Sequence, residues 1–163
     1  MKIFKKKFSK KAKIQIAVGS AVILALIVAL VIDINLHGPI YNFGILTSSI
    51  HMNWTRAVCG RLEMRFCYSK DIVYDNFPWP KPTDQQKEKI EKTAQAILDA
   101  RNKYTDASLG DMYSNLDLFT DLKKAHQEND KAVMEAYGFR KDISESECVA
   151  ELFRMYQDLT KEK

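Results

Sequence analysis

The sequence is poor in the residue types that build cofactor turns, metal sites and disulfide frameworks. It contains six glycines, four prolines, three cysteines and three histidines. No two glycines lie within two residues of one another, which excludes a glycine-rich cofactor turn, and no Pro-Pro pair occurs. The cysteines are odd in number and lack a C-x-x-C pair, and the histidines are widely separated. We therefore expect no disulfide framework, no metal centre, and free thiols that are buried or half-buried.

Apolar material is sufficient for a core, but positive charge is unevenly distributed. The 163 residues, 46% hydrophobic and 10% aromatic, can build one modest domain plus an appendage. The formal charge is +4, yet seven lysines and no acids fall in the first 13 residues, which leaves −3 for residues 14–163. A basic field over the whole domain is excluded, so any nucleic-acid surface has to be local.

Residues 14–32, IQIAVGSAVILALIVALVI, form an uncharged apolar run. As a helix this run would be about 29 Å long, which matches the hydrocarbon core of a bilayer. A single membrane-spanning helix is the favoured interpretation, and the alternatives are a cleaved signal peptide and a buried helix of a soluble protein. The lysine-rich residues 1–13 would then be a cytoplasmic leader, residues 33–40 a linker, and the chain a single-pass membrane protein.

The next part of the chain, residues 41–80, combines one predicted helix with extended segments. A serine at residue 48 or 49 can cap a helix that runs to about residue 59. Apolar and polar side chains alternate over residues 61–68, which predicts a strand with one buried face. That face would carry Leu62, Met64, Phe66 and Tyr68. A second extended run is expected at residues 72–74, and the three prolines of NFPWPKP end it.

The remainder of the chain is predicted to form three amphipathic helices. Two capping boxes, at residues 83–86 and 144–147, place the starts of the first and third helices. The second helix is expected over residues 120–137 and is stopped by Gly138. Residues 105–119 are expected to be a connector.

The predicted fold class is therefore mainly α with a small β element. It consists of an N-terminal transmembrane helix, a helix with short antiparallel strands, and a three-helix C-terminal bundle. The corresponding segments are residues 1–13, 14–32, 33–40, 41–80 and 81–163.

Glu63 and Arg65 are two residues apart on the exposed face of the predicted strand, so they would lie about 7 Å apart and point the same way. Such a pair can address neighbouring base edges, because arginine donates twice to guanine and glutamate accepts from the cytosine amino group. The alternative is the solvated face of a two-faced sheet. Phe77 and Trp79 likewise either cover the edge of a core or stack on bases.

Two long segments resemble a known family. They are FGILTSSIHMNWTRAVCGRLEMRFCYSKDIVYDNFPWPKPTDQQKEKIEKTAQAILDAR and LKKAHQENDKAVMEAYGF. Together they closely resemble the C-terminal end of MmeI-like adenine-specific DNA methyltransferases, which are single-chain restriction-modification enzymes. The resemblance runs from about Tyr41 to the last residue. It implies that residues 41–80 are the last part of a target recognition domain and that residues 81–163 are a helical C-terminal domain.

The resemblance also implies double-stranded DNA as a partner and suggests roles for individual residues. Glu63 and Arg65 would contribute to base choice, whereas Arg61 and Lys70 would contact phosphates. The recognition domain would end at a four-residue motif, here called the FPWP motif: Phe77, Pro78, Trp79 and Pro80.

Important parts of the family pattern do not occur in this sequence. The family methylates the exocyclic amine of adenine with S-adenosylmethionine, which requires a glycine-rich cofactor turn and an Asn/Asp-Pro-Pro-aromatic loop. Neither motif occurs in the 163 residues, and the acidic cluster of the nuclease is missing as well. We therefore expect a DNA-binding fragment without catalytic residues or a bound cofactor, inactive alone.

Three further expectations accompany that interpretation. The chain could complete a separate methyltransferase catalytic chain in trans. It would be cytoplasmic if the lysine-rich leader arose by gene recombination. The alternative function is that of a single-pass membrane protein whose helical domain binds another protein.

Overall fold

The structure is a computed structural model that describes residues 38–63 and 65–161. Most of these residues are helical. The α-helices of this part are α1 (Gly38–Leu46), α2 (Ser49–Val58), α3 (Asp84–Asn102), α4 (Leu109–Ser114), α5 (Thr120–Tyr137) and α6 (Glu145–Lys161). The shorter elements are strands β1 (Gly60–Leu62) and β2 (Arg65–Cys67), a π-helix (Lys70–Tyr74) and a 3-10 helix (Leu116–Leu118). The fold is mainly helical with a two-stranded antiparallel hairpin.

The predicted leader (residues 1–13), the predicted membrane helix (residues 14–32) and most of the predicted linker (residues 33–40) lie outside the described residues. Within the described part, no helix combines the length and the apolarity needed to cross a bilayer. The last three residues of the predicted linker are helical. Pro39 is compatible with this, because in the first turn of α1 its missing N–H removes no helical hydrogen bond.

Most helix ends lie where a side chain or a glycine satisfies the terminal backbone groups. Ser48 caps α2, and capping boxes that begin at Thr83 and Ser144 start α3 and α6. Gly138 ends α5 in the left-handed conformation, with φ of 70°. These predicted boundaries are confirmed.

Helices α3 and α5 pack together and run antiparallel. Near the start of α3, Lys89 Nζ lies 2.5 Å from a carboxylate oxygen of Glu135, close to the end of α5. At the other end of the pair, Lys103 Nζ lies 3.1 Å from a carboxylate oxygen of Asp121 in the first turn of α5. The two helices therefore lie side by side along most of their length.

One hydrophobic core joins the two domains that the sequence predicts. Its fully buried members come from both sides of residue 81: Ile45, Ile50, Trp54, Val73, Phe77, Ile90, Ala132, Val133, Cys148 and Leu152. A second, smaller cluster lies between α3, α4 and α5 and contains Ile97, Ala100, Met112 and Leu122. Residues 40–163 accordingly form one compact unit.

The predicted three-helix bundle is incomplete without α2. Helix α3 packs on α5, whereas the main partner of α6 is α2. The reason lies in Trp54 of α2, whose ring centroid is 5.2 Å from that of Phe153 and 6.1 Å from that of Tyr156 on α6. A helix from the predicted recognition segment thus completes the helical domain.

Two segments differ in secondary structure from the prediction. Residues 72–74, predicted to be extended, belong to the π-helix, in which the Asp75 N–H donates to the Lys70 carbonyl at 2.9 Å. The β-branched residues favoured a strand, but burial of Val73 outweighs that local preference. Residues 105–119, predicted to be a connector, contain α4 and the 3-10 helix, because Ser108 and Asp111 form a capping box.

Gly44 allows α1 to approach α3 and α5 closely. A Cβ atom at this position would lie 2.8 Å from Ile90 Cγ2, 3.0 Å from Ala94 Cβ and 3.2 Å from Asn129 Oδ1. The Gly44 carbonyl also accepts a hydrogen bond from the buried Asn129 Nδ2 at 2.7 Å. The fit around this glycine therefore holds three helices together.

We predict that Gly44→Ala lowers the free energy of unfolding by about 1–3 kcal/mol, because the added methyl group overpacks the junction. Chemical denaturation of the full chain measures this change. Gly110→Ala is the matched control, since a Cβ there meets nothing closer than Ser108 Oγ at 3.6 Å. Alanine in place of a helical glycine is otherwise favourable by up to about 1 kcal/mol, so equal effects at the two sites would contradict the packing argument.

Candidate nucleic-acid interface

The β1–β2 hairpin leaves the helical body between α2 and the π-helix. Its strands pair with Gly60 opposite Cys67, Arg61 opposite Phe66 and Leu62 opposite Arg65. This register places Glu63 in the turn. The hairpin is thus joined at both ends to helical segments that contribute to the main core.

Glu63 and Arg65, here called the tip pair, lie side by side at the end of the hairpin. Arg65 Nη2 donates a hydrogen bond to Glu63 Oε2 at 3.1 Å, and the side chains are 78% and 74% exposed, respectively. Glu63 has φ of 56°, a left-handed conformation that strand residues do not adopt. The prediction that both residues share one strand face is therefore wrong, and an ion pair across the turn brings them together.

The predicted buried face of the strand is exposed. Leu62, Phe66 and Tyr68 are 62%, 41% and 50% exposed. Within the described residues, the two strands pair only with each other, so no second layer covers them. The same lack of cover leaves Cys67 exposed, contrary to the prediction, whereas Cys59 is half-buried and Cys148 is buried, and all three are free thiols.

The two predicted phosphate contacts differ in their surroundings. The Arg61 guanidinium lies over the ring of Phe66 on the opposite strand, with 5.2 Å between Cζ and the ring centroid. Lys70 Nζ lies 2.9 and 2.7 Å from the two carboxylate oxygens of Asp75. Arg61 is therefore held by stacking and keeps its hydrogen-bond donors, whereas Lys70 is already engaged by an acid.

The charge around the hairpin is balanced. Residues 60–75 contain three basic and three acidic side chains, and residues 38–161 contain 17 basic and 19 acidic ones. Long-range attraction of a polyanion is therefore weak at this surface, as the sequence predicts. Recognition here has to come from short-range contacts of individual side chains.

Hydrogen bonds of two buried side chains, His51 and Trp54, anchor the base of the hairpin. His51 Nε2 lies 3.1 Å from the Tyr68 hydroxyl oxygen, just after β2, and Trp54 Nε1 donates to the Val73 carbonyl in the π-helix at 2.9 Å. His51 also packs edge-on against Phe77, with 4.6 Å between ring centroids. The hairpin thus projects from a fixed base while its tip is open to solvent.

The FPWP motif belongs to the core. Phe77, Pro78 and Pro80 are buried and Trp79 is half-buried. Phe77 packs edge-on against Trp79, and the Tyr137 hydroxyl on α5 donates to the Pro78 carbonyl at 3.0 Å. Of the two predicted roles for this motif, the structure supports covering of the core.

Burial lowers the pKa of His51 to about 4. Its side chain is 4% exposed, and Nδ1 has no hydrogen-bond partner. The imidazole is therefore neutral at physiological pH, and its link to Tyr68 is a bond between uncharged groups. Protonation of this ring would place a positive charge in the core beside Phe77.

Comparison with known proteins identifies the family. Residues 22–81 match the MmeI target recognition domain, and residues 82–162 match the MmeI C-terminal domain. Residues 22–162 belong to the MmeI family. The hairpin therefore lies in an MmeI-type target recognition domain, and α3 to α6 form an MmeI-type C-terminal domain.

Two relatives illustrate the similarity. The Type IIL restriction-modification enzyme MmeI, whose structure is known in complex with DNA, has 43% sequence identity and a TM-score of 0.71 over 75% of this chain and 16% of its own. DNA methyltransferase A of Bacillus subtilis (strain 168) is 36% identical over 121 residues, which are 74% of this chain and 14% of that protein. The chain thus spans a small part of the length of these relatives.

The family match overlaps the predicted membrane helix. It begins at residue 22, within the apolar run of residues 14–32, and the resemblance had been expected only from about Tyr41. The second half of the run and the predicted linker are therefore part of the match to the MmeI-type recognition domain. Membrane association receives no support from these comparisons.

Sequence reasoning missed the residues that anchor the hairpin. Tyr68 was predicted to lie on a buried strand face, whereas it is half exposed and its hydroxyl lies within hydrogen-bond distance of His51, which is 17 residues away. An available signal was the grouping of His51 and Trp54 on one face of α2, one turn apart. In the described ranges, no group of three His, Cys, Asp or Glu side chains could hold a metal ion.

We predict that His51 makes stability fall in mild acid. Its folded pKa of about 4 lies below the ordinary value of 6.5, so the unfolded chain binds the proton first. The stabilisation is complete above about pH 6.5 and is lost as the pH falls toward 4, by about 3 kcal/mol in total. Urea denaturation of the full chain at a series of pH values measures the loss.

His51→Gln is the control variant, because it retains an amide that can bond Tyr68 but does not titrate. The pH dependence of its unfolding free energy between pH 6.5 and 4 is expected to be weaker than that of the wild type. Identical curves for the two proteins would show that His51 is not the titrating group.

Proposed function

We propose that this chain contributes to DNA sequence recognition in an MmeI-type restriction-modification methyltransferase, and that the tip pair recognises a base pair. The observation that supports the proposal is the position of Glu63 and Arg65 at the exposed end of an anchored hairpin, within a segment that matches a target recognition domain. A two-stranded β-ribbon has dimensions that the DNA major groove admits.

The tip pair has the chemistry needed for a C·G base pair. Arginine can donate two hydrogen bonds to guanine O6 and N7, and glutamate accepts one from the cytosine amino group. In the free chain, Arg65 donates only through Nη2 to Glu63, which leaves its other N–H groups available. The tip pair thus offers a hydrogen-bond donor, Arg65, and an acceptor, Glu63, to adjacent base edges.

The free energies of the two interactions favour rearrangement of this ion pair on DNA. A solvent-exposed pair contributes about 0–1 kcal/mol, whereas one bidentate contact to the correct base gives about 1–3 kcal/mol of discrimination. Breaking or reorienting the bond between Glu63 and Arg65 therefore costs less than a base contact returns. The ion pair orders the two side chains but is weak enough to break when a base contact forms.

Arg61 and Lys70 are proposed as contacts to the DNA backbone. Arg61 is the better placed of the two, because stacking on Phe66 orders its guanidinium while no acid occupies it within the described residues. Lys70 would have to exchange Asp75 for a phosphate. With so few available cations, the chain alone is expected to bind duplex DNA weakly, with a dissociation constant of about 10⁻⁴ to 10⁻⁶ M.

Methyl transfer is proposed for the complete enzyme and not for these residues. The relatives are about six to seven times as long as the matched part, with coverage of 16% and 14%. S-adenosylmethionine and the adenine amine would be bound by a catalytic region, on the same polypeptide or on a separate chain. This segment would then determine where on the DNA that region acts.

We predict that variants of the tip pair change base preference at one position. Selection of binding sites from randomised duplexes by the full chain measures the preference at each position. Glu63→Gln and Arg65→Lys should each reduce the preference at the same base pair by roughly 5- to 150-fold, which corresponds to about 1–3 kcal/mol. Effects at two unrelated positions would contradict recognition of a single pair.

Matched control variants are available on α6, where Glu151 and Arg154 form another exposed arginine–glutamate pair. Glu151→Gln and Arg154→Lys should leave every position unchanged. Unaltered preference in the tip-pair variants, with binding retained, would refute the assignment of Glu63 and Arg65.

A further inference from the structure

Arg101 on α3 is held in an unusual setting for a surface arginine. Its Cζ lies 5.2 Å from the ring centroid of Phe43 on α1 and 5.1 Å from that of Tyr113 on α4. Its Nε and Nη2 donate to the Tyr113 hydroxyl oxygen at 2.9 and 2.5 Å. Stacking and hydrogen bonding therefore fix the guanidinium in one orientation.

His126 on α5 completes this cluster. Its Nε2 lies 2.6 Å from the Tyr113 hydroxyl oxygen. Burial lowers the pKa of His126, the charge of Arg101 lowers it further, and Asp130 one turn along α5 raises it. A neutral imidazole can accept a hydrogen bond from the Tyr113 hydroxyl, which leaves the phenolic oxygen free to accept both hydrogen bonds from Arg101. The Arg101 cluster consists of Phe43, Arg101, Tyr113 and His126.

The positive charge of Arg101 has no acidic partner in the part of the chain described. Four of the six arginines form ion pairs with carboxylates there: Arg56, Arg65, Arg140 and Arg154. The other two, Arg61 and Arg101, instead stack on aromatic rings. Asp130, the nearby acid, accepts a hydrogen bond from the Ser49 N–H at 2.8 Å. Arg101 thus keeps three of its five N–H donors available.

We propose that the Arg101 cluster is a phosphate-binding site on the C-terminal domain. A planar guanidinium with a fixed orientation is suited to bidentate contact with phosphate oxygens, and little side-chain entropy remains to be lost on binding. The phosphate is either that of the DNA backbone or that of a free phosphoryl compound. Only the DNA alternative rests on the function proposed above.

The first test uses inorganic pyrophosphate and the wild-type full chain. The Nε–H resonance of Arg101 in ¹H–¹⁵N spectra is expected to shift in a saturable way, while that of Arg140, which pairs with Glu147 and Asp142, stays in place. Equal behaviour of the two resonances would overturn the proposal. This test needs no substitution and does not depend on DNA binding.

The second test measures the salt dependence of binding to a short DNA duplex. Loss of one phosphate contact in Arg101→Gln should make the slope of log affinity against log salt shallower by about 0.9, with base preference unchanged. Arg101→Lys should retain the slope but bind more weakly, because it keeps the charge without the planar fork. Arg140→Gln is the matched control and should behave as the wild type.

The two arms separate the possible outcomes. A shift with pyrophosphate together with a shallower slope assigns the site to the DNA backbone, and a shift alone assigns it to a free phosphoryl compound. Absence of the pyrophosphate shift at Arg101, with the chain folded by circular dichroism, overturns the proposal whatever the slope and leaves Arg101 as a link between helices. Failure of the tip-pair assignment would appear as an unaltered base preference in the Glu63 and Arg65 variants, which neither test uses.

Discussion

Trp54 is the residue on which both halves of the structure depend. Its indole N–H donates to the Val73 carbonyl at 2.9 Å, which holds the π-helix against α2. Its ring also packs near Phe153 and Tyr156 of α6 and near Phe77 of the FPWP motif. Because one buried side chain serves all of these contacts, the recognition segment and the C-terminal helices share a core. The boundary between the two MmeI-type domains therefore falls within a single packed unit.

This arrangement gives the hairpin a fixed base and an exposed tip. The base is fixed by His51 and Trp54, which are themselves buried, whereas the tip pair lies in solvent and is joined by an ion pair of small net energy. An isolated two-stranded hairpin is only marginally stable in water, so the anchored base supports most of its order. Side chains at the tip can then change without disturbing the core, which suits a family of DNA-recognition enzymes.

The arginines of the described part differ in the groups that they contact. The described part carries 17 basic and 19 acidic side chains, so it offers little long-range attraction to DNA. Four of its six arginines pair with nearby acids. Arg61 and Arg101 are the exceptions, and both stack on aromatic rings that orient them without removing their charge. These two arginines therefore retain N–H donors for contact with an anion.

Local chemistry by itself determined where α2, α3, α5 and α6 begin or end. A capping serine, two capping boxes and a glycine with positive φ act through neighbouring residues, so sequence alone located them. Resemblance in long segments likewise identified the family. Tertiary structure decided the rest, because Val73 lies in a π-helix through burial beside Trp54, and α6 packs on α2, from which 86 residues of chain separate it. It also decided that Glu63 lies in a turn, since no Asn-Gly signal marks the hairpin and alternation of polar and apolar residues cannot distinguish one strand from two.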